Sequence, residues 1–215
     1  GWARSDNSTF QSWMWKRHTG FDVVYFDGTG ANLTVPHSLN AIPEFMWIKA
    51  KSYGGEWKVY HKDRGPTNIS RLHLSNAEET SQTILQSTNP TKTHFFTSGS
   101  LSLSSQSYIA MLFASVDGIS KVGSYTGNGS NRSISFGFQP RFMITKRVSS
   151  SGYGWYVLDT LRGWSSGNDP YLDLSSNGAA GSSEFGTPTS TGFDIVGGAG
   201  HLNENGAEYI YYAHA

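Results

Sequence analysis

The 215-residue chain contains no cysteine, which excludes disulfides, thiol catalysis and cysteine-ligated metals. Charged residues make up only 15% of the chain, and 16 Lys and Arg balance 16 Asp and Glu. A nucleic-acid-binding protein would show a basic excess, and an anionic membrane surface would attract a polybasic segment. No stretch approaches the roughly 18 apolar residues of a membrane-spanning helix. We therefore expect no nucleic-acid partner and no membrane insertion.

A helical pattern of apolar residues is nearly absent as well. The one candidate is the stretch 74–87, where Ser75 or Asn76 can cap a short helix with Glu78 and Glu79 in its first turn. What the chain does contain is 25 Gly, abundant Ser, Thr and Asn, and 14% aromatic residues. Turn formers mixed with strand formers are typical of an all-β protein.

The start of the chain also lacks two common features. It begins with Gly1 instead of an initiator Met, and residues 1–10 contain no apolar signal-peptide segment. We expect the sequence to be a piece of a longer protein.

The sequence repeats itself after about 100 residues. Stretches 44–65 and 141–163 each predict a strand, a glycine-containing turn and a second strand. Seven landmarks recur in one order: turns 27–30 and 126–129, Phe45 and Phe142, Trp57 and Trp155, Val59 and Val157, Arg64 and Arg162, Leu72 and Leu172, and Tyr108 and Tyr209. The spacing drifts slowly, as small loop insertions would make it, so we infer an internal duplication.

The size of the repeat predicts the fold. A unit of about 100 residues with six or seven strands matches a small β-sandwich. We predict an all-β chain of two duplicated antiparallel β-sandwich-like units, with an N-terminal arm (1–20), a first repeat (21–120) and a second repeat (121–215). The link 116–124 is short, so the units should pack closely, either as two similar sandwiches or as one pseudo-twofold β structure.

Comparing the two copies separates packing residues from polar ones. The matching positions are mostly apolar residues, Gly and Arg, whereas His61 faces Asp159 and His73 faces Asp173. The repeat therefore specifies a fold, and a function specific to one copy should lie where the copies differ, chiefly in loops. The polar cluster 60–64 is interpreted as a strand end. No nucleophile elbow, zinc-protease motif or Walker-type loop is present, and we predict no catalytic residue, metal or cofactor.

The tryptophans fall into groups. Trp57 and Trp155 recur, and Trp47 faces an apolar position in the second copy, so we predict that all three belong to the core. Trp13 and Trp15 are two residues apart, so in an extended arm their side chains lie on the same face. They are predicted to pack the arm onto a domain or a neighbouring subunit.

The candidate ligand site is the loop around Trp164, which has no aromatic counterpart in the first copy. With Asn168, Asp169 and Tyr171 it predicts a sugar-binding site, in which the indole stacks on a pyranose and the polar groups hold hydroxyls. The alternative is a tryptophan that only anchors its loop. Oxygen ligands over 168–173 have a calcium-like spacing but lack the number and the glycine of an EF-hand loop, so a turn is favoured over a metal site.

Two motifs carry a family resemblance: SKVGSYTGNGS (120–130) and RGWSSGNDPYL (162–172). Together with VPHSLNAIPEFMWIK (35–49) and YIYYAHA (209–215), they make essentially the whole chain resemble a domain near the C-terminal ends of phage tail and tail-fibre proteins. That domain is common in marine phages, including those that infect cyanobacteria. The resemblance implies a virion component at the tail tip or fibre that acts at the host cell surface. It implies a β-sandwich type of fold and supplies no catalytic residues.

Three functions follow as expectations. The first is a non-enzymatic receptor-binding module that attaches to a host-surface glycan or protein, and the second is a structural module that binds other virion tail proteins. The third, a glycan depolymerase, needs two carboxylates roughly 5–10 Å apart, for instance among Asp159, Asp169 and Asp173. By analogy with tail fibres, we expect a homo-oligomer, specifically a trimer.

Overall fold

The computed structural model describes residues 12–17, 19–51 and 54–215, so residues 1–11 and 18 of the predicted arm lie outside it. The described chain is almost entirely antiparallel β structure, which confirms the predicted fold class. The first half contains β1 (Phe21–Asp27), β2 (Leu33–Pro36), β3 (Phe45–Ala50), β4 (Lys58–His61), β5 (Ser70–Arg71), β6 (His94–Thr97) and β7 (Ser107–Phe113). The second half contains β8 (Ser120–Thr126), β9 (Arg132–Ser135), β10 (Phe142–Arg147), β11 (Tyr156–Asp159), β12 (Asn168–Asp173), β13 (Gly181–Glu184), β14 (Thr187–Thr189), β15 (Gly192–Ile195) and β16 (Glu208–His214).

The two halves have the same strand order. The large sheet of the first half runs β1-β7-β3-β4-β5, and that of the second runs β8-β16-β10-β11-β12-β13. Each half adds a small sheet, β2-β6 in the first and β14-β15-β9 in the second. Matching strands therefore hold matching places, and β13 and β14 are additions of the second half. An internal duplication would produce this order and stays our interpretation of it.

Both faces of each large sheet are covered, as β3 illustrates. Because successive side chains of a strand point to opposite faces, Phe45 and Trp47 lie on one face and Met46 and Ile48 on the other. All four are buried, in two different apolar clusters. A strand buried on both faces has a continuous apolar sequence, which explains why "FMWI" does not alternate.

The central apolar cluster is shared between the halves. It lies between the two large sheets, and its members include Phe21, Phe45, Trp47, Phe113, Phe142, Ile144, Trp155 and Tyr212. The rings of Phe113 and Tyr212, one from each half, have centroids 4.9 Å apart. Two further clusters each lie within one half. The chain is therefore one structure with a common core and not two separate sandwiches.

Polar contacts also join the halves. The Arg64 guanidinium donates to Glu78 at 3.0 Å and, across the boundary between the halves, to Glu208 at 2.9 Å. The indole N–H of Trp155 donates to the Arg71 carbonyl at 2.9 Å. β5 and the segment that precedes it are thus held against the second half.

The helix considered for residues 74–87 does not form, so that prediction is wrong. Glu79 instead forms an isolated antiparallel backbone bridge with Ile69 while its carboxylate pairs with Arg71, and the Glu78 carboxylate pairs with Arg64. These tertiary contacts satisfy the carboxylates that would otherwise stabilise a helix N-terminus. The helices of the described residues are two 3₁₀ turns, Gly99–Leu101 and Thr160–Arg162. No helix in that part of the chain is long and apolar enough to span a bilayer.

Candidate functional site

Trp164 is a core residue and not a sugar platform. Its side chain is 2% exposed, and its indole N–H donates to the Gly186 carbonyl at 2.9 Å. Its ring packs edge-on against Phe193 with centroids 6.1 Å apart. A pyranose needs an open ring face, so the stacking prediction is wrong and the loop-anchoring alternative is correct.

The other predicted site residues do not form one surface. Asp169 is fully buried, and its two carboxylate oxygens accept from the backbone N–H groups of Ser165 and Phe185, both at 2.9 Å. Burial raises the pKa of this carboxyl, although both N–H donors oppose that shift. Asn168 is exposed, whereas Tyr171 is half-buried against Phe185. Asp169 therefore organises the loop instead of meeting a ligand. Within the described ranges, no three His, Asp or Glu side chains are arranged to hold a metal ion.

A different groove, lined by tryptophans, opens at the periphery of the central core. Its volume is about 380 Å³, within the range of small-molecule sites. It is lined by Trp15, Trp47, Trp57, Leu72, His73, Met111 and Leu174, and we call it the tryptophan groove. Trp15 belongs to the arm, Leu174 to the second half and the other five to the first half. Three parts of the chain therefore build its walls.

Strand pairing places the groove residues. Trp47 on β3 lies directly opposite Met111 on β7. Trp57 immediately precedes β4, and its carbonyl accepts from the backbone N–H of Leu72, which follows β5, at 3.2 Å. Four neighbouring strands of one sheet, β7, β3, β4 and β5, thus bring these four side chains to one place, and the sheet forms the floor of the site.

Two polar atoms in the groove walls lack hydrogen-bond partners among the described residues. They are the indole Nε1 of Trp47 and the Nδ1 of His73, both buried. Buried polar atoms in proteins nearly always have a partner, and one without a partner costs roughly 1–3 kcal/mol. A ligand that reaches either atom would remove that cost.

A cluster of charged side chains lies beside the groove. Glu56 accepts from the Lys58 ammonium at 2.7 Å and also pairs with Arg71, while Nε2 of His73 is 3.9 Å from a Glu56 oxygen. The Lys58 hydrogen bond lowers the pKa of the Glu56 carboxyl, so Glu56 is an anion near neutral pH. The Lys49 ammonium lies 5.5 Å from the centroid of the Trp57 ring. Apolar rings and hydrogen-bonding charges therefore stand side by side.

Sequence reasoning missed this groove because it assigned Trp57 to the core. Trp57 is half-buried, unlike its counterpart Trp155, which is fully buried. A usable signal existed in the differences between the copies. Trp47 faces Ile144 and His73 faces Asp173, so two groove residues are specific to the first copy.

The fold and the groove define a layered, antiparallel all-β protein with an open tryptophan-lined site. Residues 5–215 match the family described as a domain of unknown function, DUF7483, and the chain belongs to that family. Neither curated proteins nor solved structures give a match to the chain.

Proposed function

We propose that the protein is a non-enzymatic glycan-binding module of a phage tail or tail fibre that attaches the virion to the host surface. The tryptophan groove is the proposed binding site. The observation that carries this proposal is the convergence of Trp15, Trp47 and Trp57 on one open groove beside a charged cluster. The virion location is supported by the sequence resemblance to tail-fibre domains.

The lining favours one class of saccharide. Indole faces pack well against the C–H face of a pyranose, and charged groups at the edge can bind its outward hydroxyls. Six of the seven lining residues are apolar, with the His73 imidazole as the exception. A hydroxyl directed inward would lose its water and could replace it only at Nε1 of Trp47 or Nδ1 of His73, so elsewhere along the walls it would cost free energy. We therefore propose a sugar that carries a methyl group, either an acetamido or a 6-deoxy sugar.

A binding role fits the carboxylates better than a hydrolytic one. Glycoside hydrolysis uses two carboxyl groups that flank the scissile bond. Asp159 and Asp173 each accept a local backbone N–H at 2.8 Å, from Leu161 and Ser175 respectively. These carboxylates stabilise turns, as Asp169 does.

A panel of methyl glycosides tests the proposal by saturation-transfer NMR. It contains N-acetylglucosamine beside glucose, and fucose beside galactose, so that each pair compares a methyl-bearing sugar with a hydroxylated one. We expect signals from a methyl-bearing sugar that disappear in Trp57→Ala. Tyr25→Ala is the control, because Tyr25 is an exposed aromatic that does not line the groove. Equal binding by wild type and Trp57→Ala would contradict the proposed site, and no binding to the panel or to host cells would contradict the function.

The second candidate function is an assembly module that binds other virion tail proteins or further copies of this chain. The observation that favours it is Met14, which is 92% exposed on the arm between two tryptophans that contact the core. Light scattering of the wild type and Met14→Ser tests self-association, and deletion of residues 1–19 tests assembly with tail proteins. Unchanged assembly after the deletion would count against this candidate.

A further inference from the structure

We infer that the buried carboxylate of Asp159, acting through Trp13, holds Trp15 in the wall of the tryptophan groove, so that binding there depends on a residue outside it. The predicted effect on ligand binding rests on the proposed function of the groove. The anchoring of Trp15 is argued from the geometry alone, and the ¹⁹F resonance of Trp15 measures it independently of binding.

The anchor is a hydrogen bond between Trp13 and Asp159. The indole N–H of Trp13 donates to Oδ2 of Asp159 at 2.8 Å, and Oδ1 of Asp159 accepts the backbone N–H of Leu161 at 2.8 Å. Asp159 is fully buried, so this hydrogen bond to a carboxylate is sheltered from water and stronger than a neutral one. The Trp13 ring also packs against Phe142, with centroids 5.6 Å apart.

Side chains, not backbone hydrogen bonds, hold the described arm residues 12–17 against the rest of the protein. Residues 12–17 belong to no strand or helix, and backbone hydrogen bonds join none of them to another described residue. On the other side of Trp15, Arg17 pairs with Asp22, a buried residue of the first half. The Arg17 side chain is largely exposed, which makes its ion pair weak. Asp159 is therefore the stronger of the two anchors that flank Trp15, and Trp15 itself is hydrogen-bonded to the Tyr212 side chain.

Trp15 lies where the two halves meet. Its ring contacts Trp47 and Phe113 of the first half and Phe142 of the second, with centroids 6.5, 5.8 and 5.7 Å away. Trp15 follows Trp13 by two residues, so in an extended segment both side chains point the same way. Releasing Trp13 would leave Trp15 held only by its ring contacts and its hydrogen bond to Tyr212, and would loosen one wall of the groove.

A double-mutant cycle tests the inference. Trp13→Phe keeps an aromatic ring but removes the N–H donor, and Asp159→Asn removes the charge. The probes are methyl N-acetyl-β-D-glucosaminide and methyl α-L-fucopyranoside. We expect each single variant to weaken the affinity of the bound probe about 5- to 10-fold and the double variant to be no weaker than the worse single one. In protein labelled with 5-fluorotryptophan, the ¹⁹F resonance of Trp15 should shift in both variants, and that of Trp164 should not.

The outcomes separate the inference from the function. An unmoved Trp15 resonance in Trp13→Phe, or strictly additive losses of affinity, would overturn the inference. If the wild type binds neither probe while the Trp15 resonance shifts as expected, the anchor stands and the function of the groove fails. Urea unfolding of each variant distinguishes loss of folding from loss of binding. If Asp159→Asn does not fold, the Trp15 resonance and the affinity of Trp13→Phe alone test the inference.

Discussion

Trp57 and Trp155 hold matching places in the two halves but have different environments. Trp155 is fully buried, and its indole N–H is hydrogen-bonded to the Arg71 carbonyl. Trp57 is half-buried in the wall of the tryptophan groove, with the Lys49 ammonium near its ring. One repeated residue thus serves as scaffold in the second half and as the proposed binding surface in the first.

This contrast gives a prediction for a matched pair of variants. Trp155→Ala should lower the free energy of unfolding by about 3–5 kcal/mol, because it leaves a large cavity in the shared core. Trp57→Ala should cost only about 1–2 kcal/mol, since less surface is buried there, but should weaken saccharide binding at least about tenfold. Urea unfolding and saccharide titration measure the two effects. Comparable stability losses would show that Trp57 is a core residue after all.

Trp164→Ala should behave like Trp155→Ala. Trp164 is buried and hydrogen-bonded to Gly186, so we expect a loss of about 3–5 kcal/mol in the free energy of unfolding. Protein that remains folded should keep its affinity for the saccharide. The reverse result, full stability with lost binding, would return the site to the loop around Trp164.

Arg64 should stabilise the contact between the halves. Arg64→Met leaves the Glu78 carboxylate, whose side chain is 8% exposed, without its cation, and should cost about 3 kcal/mol. Glu208→Gln is the control, because the Glu208 side chain is 45% exposed and its ion pair is worth less than about 1 kcal/mol. Both are measured by urea unfolding. Equal, small effects would mean that the apolar core alone holds the halves together.

His61 should make the protein sensitive to mild acid. Burial lowers the pKa of His61 to about 4, although the nearby Asp63 carboxylate opposes the shift. The unfolded chain, with a histidine pKa of about 6.5, binds more protons between pH 4 and 6.5, so stability is full above that window and falls as pH drops through it. At about 1.4 kcal/mol per pH unit, the loss approaches roughly 3 kcal/mol. Unfolding free energies of the wild type and His61→Gln, measured from pH 4 to 7, should diverge; parallel curves would contradict the prediction.

The fold could be predicted from the sequence because its determinants are local or repeated. Alternating and continuous apolar stretches around Phe45 and Phe142 indicate strands, and Gly-containing turns mark their ends. Their recurrence after about 100 residues predicted two similar sets of strands, and the structure gives both halves the same strand order. The shared central core could not be predicted, since periodicity does not tell which sheet covers a given face.

The site could not be predicted because its determinants are tertiary. Trp164 lies in a stretch of Gly and Ser that looks exposed, but Gly186 and Phe193, distant in sequence, cover it. Trp57 lies in a repeated apolar pattern that looks buried, but it falls at the edge where the two halves meet. Local composition predicts neither result, because exposure depends on which distant segment packs above a residue.

Leu174 links the groove to the packing of the two large sheets. The other residues that line the groove come from the arm and the first half, whereas Leu174 comes from the second half. The width of the groove therefore depends on the distance between the two large sheets. A substitution such as Ile144→Val, deep in the layer between the sheets, can reset that spacing without touching a ligand. The shape of the groove, and with it the ligand preference proposed for it, can therefore drift through interior mutations while every residue on the exposed surface stays the same.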